Sequence, residues 1–322
     1  MALASNRPLL ILMHARPEPY LEALQSAGVS DAVEVAVVAP DVRPSPDQLA
    51  RAEILLAMSP PQGMLAEMPR LRWVQALTVG VDGWLKRPDL RPDLPLVAAR
   101  GTHRVQMPEN ILGALFHLTK PYMAASLDQR QHTWTRRVSQ TLAGKTLAIL
   151  GLGAIGRELA RKAAALEMRV VGSKRQPEAV PHVDLVVPPS QIDRLLGEAH
   201  FVVLLLPLTP ATRDLMNRER LARMRPDAVL INFGRGELIV DADLVAAVTD
   251  KVIKGAVLDV FRTEPLPSDH AFWGTPGITV LPHIGGLHPD RDGMVGALLA
   301  ENVARFLEGQ PLKELVDRDR GY

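Results

Sequence analysis

Short apolar runs alternate with amphipathic stretches along the chain, a pattern that predicts strands and helices in turn. In the N-terminal third, Leu9–Met13, Val33–Val38, Ile54–Met58, Trp73–Leu77 and Leu96–Ala98 predict strands, each bounded by proline, glycine or charge. Pro19–Ala27 and Gln62–Met68 predict short connecting helices. Residues 108–127 predict one long helix, with Pro108 in its first turn and Glu109 near its positive end. Ile111, Leu112, Leu115, Phe116 and Leu118 give this helix more apolar surface than one core face needs. The Arg- and Gln-rich stretch Asp128–Gln140 predicts a surface excursion, with Trp134 expected in packing or at an interface. A second series then begins. Thr146–Leu150, Arg169–Val171, Phe201–Leu206, Ala228–Asn232, Ala256–Asp259 and Ile278–Leu281 predict strands, and Ile155–Leu166, Ile192–Glu198 and Asp241–Val248 predict helices. The last amphipathic segment, Arg291–Glu308, follows the final strand and is expected to return to the first domain.

Strands alternating with helices imply βαβ units and parallel sheets. The expected fold class is α/β, as two Rossmann-like doubly wound parallel-sheet domains with a cleft between them. Residues 1–101 plus 288–322 are expected to form one domain and residues 102–287 the other. A length of 322 residues, 47% hydrophobic and 23% charged, suits two globular domains rather than disorder. Lys+Arg 37 against Asp+Glu 36 leaves a net charge of +1, which gives no support to a nucleic-acid or membrane partner. The absence of cysteine excludes disulfides, thiolate metal sites and cysteine nucleophiles. No metal is expected. The run Leu9–Met13 is short for a signal-peptide core and is followed at once by His14 and Arg16, so a first strand and a cytoplasmic location are expected.

Gly151-Leu152-Gly153-Ala154-Ile155-Gly156 follows one predicted strand and opens a predicted helix. In that setting the first glycine serves a tight turn, the second admits a pyrophosphate to the backbone, and the third lets helix and strand pack closely. The helix N-terminus adds free N–H groups and positive dipole, so dinucleotide binding is expected here. NAD sites place an acid at the end of the next strand, where it holds the adenosine ribose. Here that strand ends Gly172-Ser173-Lys174-Arg175, a hydroxyl followed by two cations. Such a set can bind a ribose 2′-phosphate, so NADP is the expected preference, with NAD possible.

Three further patterns fall at predicted strand ends: Asn232-Phe233-Gly234-Arg235-Gly236, Asp259-Val260-Phe261 leading to Glu264-Pro265-Leu266, and Pro282-His283-Ile284-Gly285. Open α/β sheets bind ligands at that edge. Together with Gly80-Val81-Asp82 and Leu206-Pro207-Leu208-Thr209-Pro210-Ala211-Thr212, their order and spacing resemble the D-isomer-specific 2-hydroxyacid dehydrogenases, including glyoxylate/hydroxypyruvate reductases, over essentially the whole chain.

The resemblance implies an enzyme that moves a hydride between a nicotinamide and a small 2-oxo or D-2-hydroxy acid. It makes His283 the general acid–base, Glu264 the carboxylate that orients and charges it, and Arg235 the fork that grips the 2-oxo acid. Ala154, Ile155, Pro207, Thr212, Phe233, Gly234, Asp259 and Gly285 would also contact the cofactor, with Asp259 holding the nicotinamide carboxamide. Val79 and Gly80 would bind the substrate carboxylate through backbone N–H groups. Relatives carry Gly-Ala-Gly-Val-Asp where this chain reads Thr78-Val79-Gly80-Val81-Asp82, and the bulkier pair is expected to reshape the pocket. A homodimer built on helix 108–127 and Asp128–Gln140 is also implied. The chain ends at Tyr322 without room for the C-terminal regulatory domain of long phosphoglycerate dehydrogenases. Two other readings compete. Formate dehydrogenases of the same superfamily carry Gln where Glu264 stands. Nucleotide-sensing corepressors of this fold can keep the catalytic trio, but their added partner-binding tails are not expected here.

Overall fold

The computed structural model describes residues 7–321. The chain divides into two compact units, residues Met1–Thr102 with His288–Tyr322, and His103–Leu287. The first holds a five-stranded sheet in the order β2-β1-β3-β4-β5, with β1 Leu9–Met13, β2 Glu34–Val38, β3 Ala52–Ala57, β4 Trp73–Ala76 and β5 Leu96–Val97. The second holds a seven-stranded sheet in the order β12-β11-β10-β9-β6-β7-β8. Its strands are β6 Thr146–Leu150, β7 Arg169–Ser173, β8 Leu185–Val187, β9 Phe201–Leu204, β10 Val229–Asn232, β11 Gly255–Leu258 and β12 Ile278–Val280. Every named pairing is parallel. Both sheets are covered on both faces, which is why their strands read as nearly unbroken apolar runs.

Alternation along each strand separates two cores per sheet. In β1, Leu9, Ile11 and Met13 join one cluster while Leu10 and Leu12 join the other. In β6, Ala148 and Leu150 face one side, Leu147 and Ile149 the opposite one. In the first unit, helices α1 Glu18–Ser26, α2 Pro46–Arg51 and α3 Asp82–Leu85 precede the crossing into the second unit. α2 is absent from the sequence reading although its signal is complete: Ser45 accepts from the Gln48 amide and the Gln48 side chain accepts from the Ser45 amide. The predicted Gln62–Met68 helix is only a 3-10 turn, Met64–Glu67.

The predicted single helix 108–127 is two helices, α4 Gln106–Thr119 and α5 Tyr122–Arg130. Pro121 is the cause: it offers no N–H, and it drives Lys120 before it to an extended ψ of 137°. α4 packs Ile111, Ala114 and Leu115 with Leu159, Ala160 and Ala163 of α6 Ala154–Ala165. The remaining helices of this unit are α7 Ile192–Leu196, α8 Arg218–Leu221 and α9 Asp241–Thr249. Strand β8 and helix α8 escaped the sequence reading, both being short and flanked by polar residues. Among the described residues no helix is long and apolar enough to cross a membrane.

The last helix, α10 Arg291–Leu307, packs on α1 in the first unit. Its buried Asp292 accepts from Tyr20 Oη at 3.1 Å, Arg16 at 3.0 Å and Arg291 at 2.8 Å. Burial and the neighbouring Asp292 push the Tyr20 phenol far above its ordinary range, so it stays a proton donor. The helix crossing itself depends on Gly296, where an added Cβ would stand 2.9 Å from the Pro19 carbonyl oxygen and 3.1 Å from Ala23 Cβ. Gly293, one turn earlier, has nothing within 4 Å of that position. One substitution should therefore act with opposite signs on the same helix. Gly293→Ala is expected to stabilise by a few tenths to about 1 kcal/mol through helix propensity. Gly296→Ala should destabilise by roughly 1–3 kcal/mol through overpacking. Urea titration of both variants checks this, and equal signs would refute the crossing geometry.

Candidate functional site

In the second unit β6 runs directly into the glycine-rich turn. Gly151 has φ +116°, and a Cβ there would lie 2.7 Å from the Leu205 carbonyl oxygen, so both turn and close approach exclude a side chain. A Cβ on Gly156 would meet the Gly151 carbonyl oxygen at 2.2 Å, which fixes how tightly α6 leaves the strand. Gly153 differs from both. It is the N-cap of α6, no side chain caps that helix, and no heavy atom lies within 4 Å of where its Cβ would be. The first-turn amides of a twelve-residue helix, with Ala154 exposed and Ile155 partly so, thus face open space. That donor set fits a phosphate group.

The next strand ends less simply than its sequence suggests. Ser173 is only 3% exposed, and its carbonyl accepts the Leu152 amide at 3.0 Å. Ser173 is the last residue of β7. Lys174 and Arg175 reach the surface, and Lys174 is ion-paired with Glu178, an acid the sequence reading passed over. Beyond β9, Thr212 Oγ1 donates to the Pro207 carbonyl at 2.7 Å and accepts the Thr209 amide at 2.8 Å. These bonds make Thr212 the closure of its own turn.

The three remaining loops carry Arg235, Glu264 and His283. His283 Nδ1 donates to Glu264 Oε2 at 2.6 Å, and Glu264 Oε1 accepts the Phe261 amide at 2.9 Å. Because Nδ1 faces a carboxylate, Nε2 is the nitrogen left to address a ligand. His283 is more than half exposed and has φ +50°, a left-handed conformation unusual outside glycine. Its neighbours impose that conformation. Asp259, 1% exposed, accepts the Ile284 amide at 2.8 Å and the Gly285 amide at 2.9 Å. From α4, Asn110 donates to the carbonyls of Ile284 at 3.3 Å and Gly285 at 3.0 Å. Burial pushes the Asp259 carboxyl up, against the two amides and the nearby His283, which favour the charged form. Each Asp259 oxygen thus accepts one amide of the His283 loop.

Arg235 leaves β10 through a turn closed by buried Asn232, whose Oδ1 accepts the Gly234 amide at 3.0 Å and whose Nδ2 donates to the Arg235 carbonyl at 2.8 Å. The loops are packed without a gap. A Cβ on Gly236 would stand 1.9 Å from the Phe261 carbonyl carbon, and one on Gly285 would stand 2.5 Å from the Phe233 ring. The parallel sheet thus gathers Arg235, Glu264, His283, Asp259 and Phe233 at one carboxyl edge. Val79 and Gly80 lie in the first unit, partly exposed on the loop leaving β4, where Thr78 Oγ1 donates to the Gly80 carbonyl at 2.7 Å. Sequence reasoning missed Asn110 and gave Asn232 no role. A polar residue ending an otherwise apolar strand was the available signal for Asn232; Asn110 left none, because its partner loop is remote in sequence.

An imidazole oriented by a carboxylate, an arginine fork on the adjoining loop and an open phosphate cradle can together reduce a carbonyl beside a carboxylate. Comparison with known proteins agrees. Residues 112–285 match the family model of the D-isomer specific 2-hydroxyacid dehydrogenase NAD-binding domain. The glyoxylate/hydroxypyruvate reductase A of Serratia proteamaculans is 32% identical over 277 residues, 84% of this chain and 88% of that protein. Among solved structures, a D-isomer specific 2-hydroxyacid dehydrogenase from Xanthobacter autotrophicus Py2 in complex with NADPH and MES is 30% identical, with TM-score 0.86 over 98% of this chain and 100% of that one. An NADPH-dependent glyoxylate/hydroxypyruvate reductase from Sinorhizobium meliloti in complex with NADP and sulfate is also 30% identical, with TM-score 0.83 over the same shares. This chain belongs to the D-isomer specific 2-hydroxyacid dehydrogenase family, whose members are NAD(P)-dependent oxidoreductases.

Proposed function

We propose that this protein reduces a small 2-oxo acid, glyoxylate or hydroxypyruvate, with NADPH as the preferred reductant. The observation that carries the reading is the 2.6 Å bond from His283 Nδ1 to Glu264, on loops packed against that of Arg235. The nicotinamide, when bound, supplies the hydride to the carbonyl carbon. Arg235 holds the substrate's carboxylate and carbonyl oxygen with its planar fork, and His283 delivers a proton from Nε2 to that oxygen. Glu264 stabilises the imidazolium before transfer and keeps Nδ1 protonated throughout. Gly151, Gly153 and Gly156, with the amides of Ala154 and Ile155, would cradle the pyrophosphate. Ser173, Lys174 and Arg175 would meet the 2′-phosphate, and Pro207, Thr212, Phe233, Gly234, Asp259 and Gly285 would line the remainder. Val79 and Gly80 would offer amides to the substrate carboxylate, which makes residues 1–101 with 288–322 the substrate domain and residues 102–287 the cofactor domain. The same reading includes a homodimer: Trp134 is 90% exposed, and Tyr122, Met123, Leu127 and Val138 are also exposed on α5 and the following segment. A strip of this kind fits a second copy of the chain.

His283→Ala should lose about 10²–10⁴-fold in turnover. Glu264→Gln should move the pH profile of reduction to lower pH: without the carboxylate the imidazolium is less favoured, so the proton donor is lost earlier as pH rises. Steady-state rates with glyoxylate, from acid to alkaline pH, check both. A profile unmoved by Glu264→Gln would rule out the pairing. Lys174→Asp should turn the coenzyme preference toward NADH, since it replaces an attraction by a repulsion; kcat/KM for both coenzymes decides, and equal values in the unmodified protein would end the argument. Sedimentation at micromolar concentration should give a dimer, and Trp134→Asp with Val138→Asp should weaken it. A monomeric unmodified protein would overturn that part of the reading.

A further inference from the structure

The Glu264 turn is tied to the Arg235 segment by a residue that touches neither His283 nor any expected ligand position. Arg262 lies between Phe261, whose amide holds Glu264, and Glu264 itself. Its guanidinium points away from them. Nε donates to the Ile239 carbonyl at 3.0 Å and lies 3.4 Å from Asp241 Oδ1, while Nη2 bonds both that carbonyl and Asp214. Three chain segments meet on this one side chain: its own turn, the Asp214 segment and residues 239–241. Asp214 and Met216 are themselves strapped to the same stretch, through the Asp214 amide to the Glu237 carbonyl at 2.9 Å and the Met216 amide to the Leu238 carbonyl at 2.9 Å. Asp241 opens α9 and faces His270 Nε2 at 3.5 Å. The His270 ring in turn lies 4.5 Å from that of Phe272, which is 6.2 Å from Phe261.

The knot lies directly behind the Gly236 contact with the Phe261–Arg262 peptide. Residues 236–239 continue the chain from Arg235, so Arg262 binds the Glu264 turn to the backbone that presents Arg235. The charges are mixed and half-buried. Burial pushes the Asp241 carboxyl above its ordinary range, and Arg262 and His270 offset part of that rise. The charged groups facing Arg262 are Asp214 and Asp241, with His270 behind Asp241 and the Arg213–Glu237 pair alongside. Those facing His283 are Glu264 and Asp259.

We propose that Arg262 is a positioning residue that fixes the Glu264 turn against the Arg235 segment, so that the acid–base pair and the substrate fork address one carbonyl. The inference rests on the catalytic reading above and adds the device that sets its register. Released from Ile239, Asp214 and Asp241, the turn loses the side chain that fixes its direction, and Glu264 can drift from His283 while its backbone stays in the fold. Displacement of a reacting group by a fraction of an ångström to 1 Å lowers rates by about 10- to 100-fold.

Arg262→Gln should therefore lower kcat/KM on the order of 10- to 100-fold, raise KM for the 2-oxo acid, and shift the pH profile of reduction in the same direction as Glu264→Gln. Combined with Glu264→Gln it should move the profile no further, because the contact it protects is already gone. Arg262→Lys, which keeps the charge without the two-armed grip, should fall between. If Arg262→Gln does not fold, Asp214→Asn serves: this aspartate is nearly half exposed, and the variant should give a smaller shift of the same sign. A purely structural arginine would lower the thermal midpoint and leave KM and the pH profile unchanged, and that result overturns the inference. The two levels are separable. An immobile profile in Glu264→Gln sinks the catalytic pairing itself; a shift in Glu264→Gln, without one in Arg262→Gln or Asp214→Asn, sinks only the positioning role.

Discussion

The carboxyl edge of the seven-stranded sheet depends on one buried carboxylate. Asp259 follows β11 where solvent is excluded, and its two oxygens hold two consecutive amides of the loop that begins with His283. Charge-assisted bonds of this kind are about twice as strong as neutral ones. A side chain unable to accept them would leave two amides without partners, at about 1–3 kcal/mol each if they stayed buried. That restraint opposes the strain of His283 itself, whose left-handed backbone is of the class that costs roughly 1–3 kcal/mol. Asp259 thus holds the backbone of the loop that carries His283, and Glu264 holds the ring itself.

The second constraint is contact without slack. Parallel strands deliver their carboxyl ends to one edge, but strand order alone sets loop positions only coarsely. Gly236 against the Phe261–Arg262 peptide, and Gly285 against Phe233 and Asp259, leave no room for even one methyl group. Loops packed backbone to backbone cannot slide independently, so the side chains they carry keep their spacing before any ligand arrives. Such pre-organisation is what electrostatic stabilisation of a developing charge requires, because donors already in place need no reorganisation during the reaction. Asn232 does the same for Arg235 within a single turn, closing it from both sides with one amide side chain.

Much of this was legible in the sequence, for identifiable reasons. The strands are buried on both faces, so runs such as Leu147–Leu150 and Phe201–Leu204 announce themselves without periodicity. The glycine turn, Arg235, Glu264 and His283 each follow such a run, and position after a strand is what a linear reading sees best. Three kinds of feature were lost. The break at Pro121 was overridden by the apolar character of both helices it separates. Short elements such as β8 and α8 carry too few residues for a pattern. Long-range partners are the third: Asn110 lies 175 residues from the Gly285 carbonyl it binds, and Arg262 lies 48 from Asp214. No spacing rule connects such pairs.

The end of β7 obeys a different balance. Lys174 is paired with Glu178 four residues on, and both groups are partly or largely open to solvent. Such a pair is worth about 0–1 kcal/mol and is screened by salt. A 2′-phosphate carries close to two negative charges and several acceptor oxygens, so it competes well with one mobile carboxylate for the same ammonium, and Arg175 adds a second cation beside it. Glu178 therefore weakens the attraction for a phosphate without creating a barrier to it. An acid at the strand end itself would act differently, because it would bind the free ribose diol and repel the phosphate at contact distance. In this chain Lys174 holds that position, and it offers neither effect. The preference proposed here then arises less from a strong phosphate grip than from the loss of the group that would favour an unphosphorylated ribose.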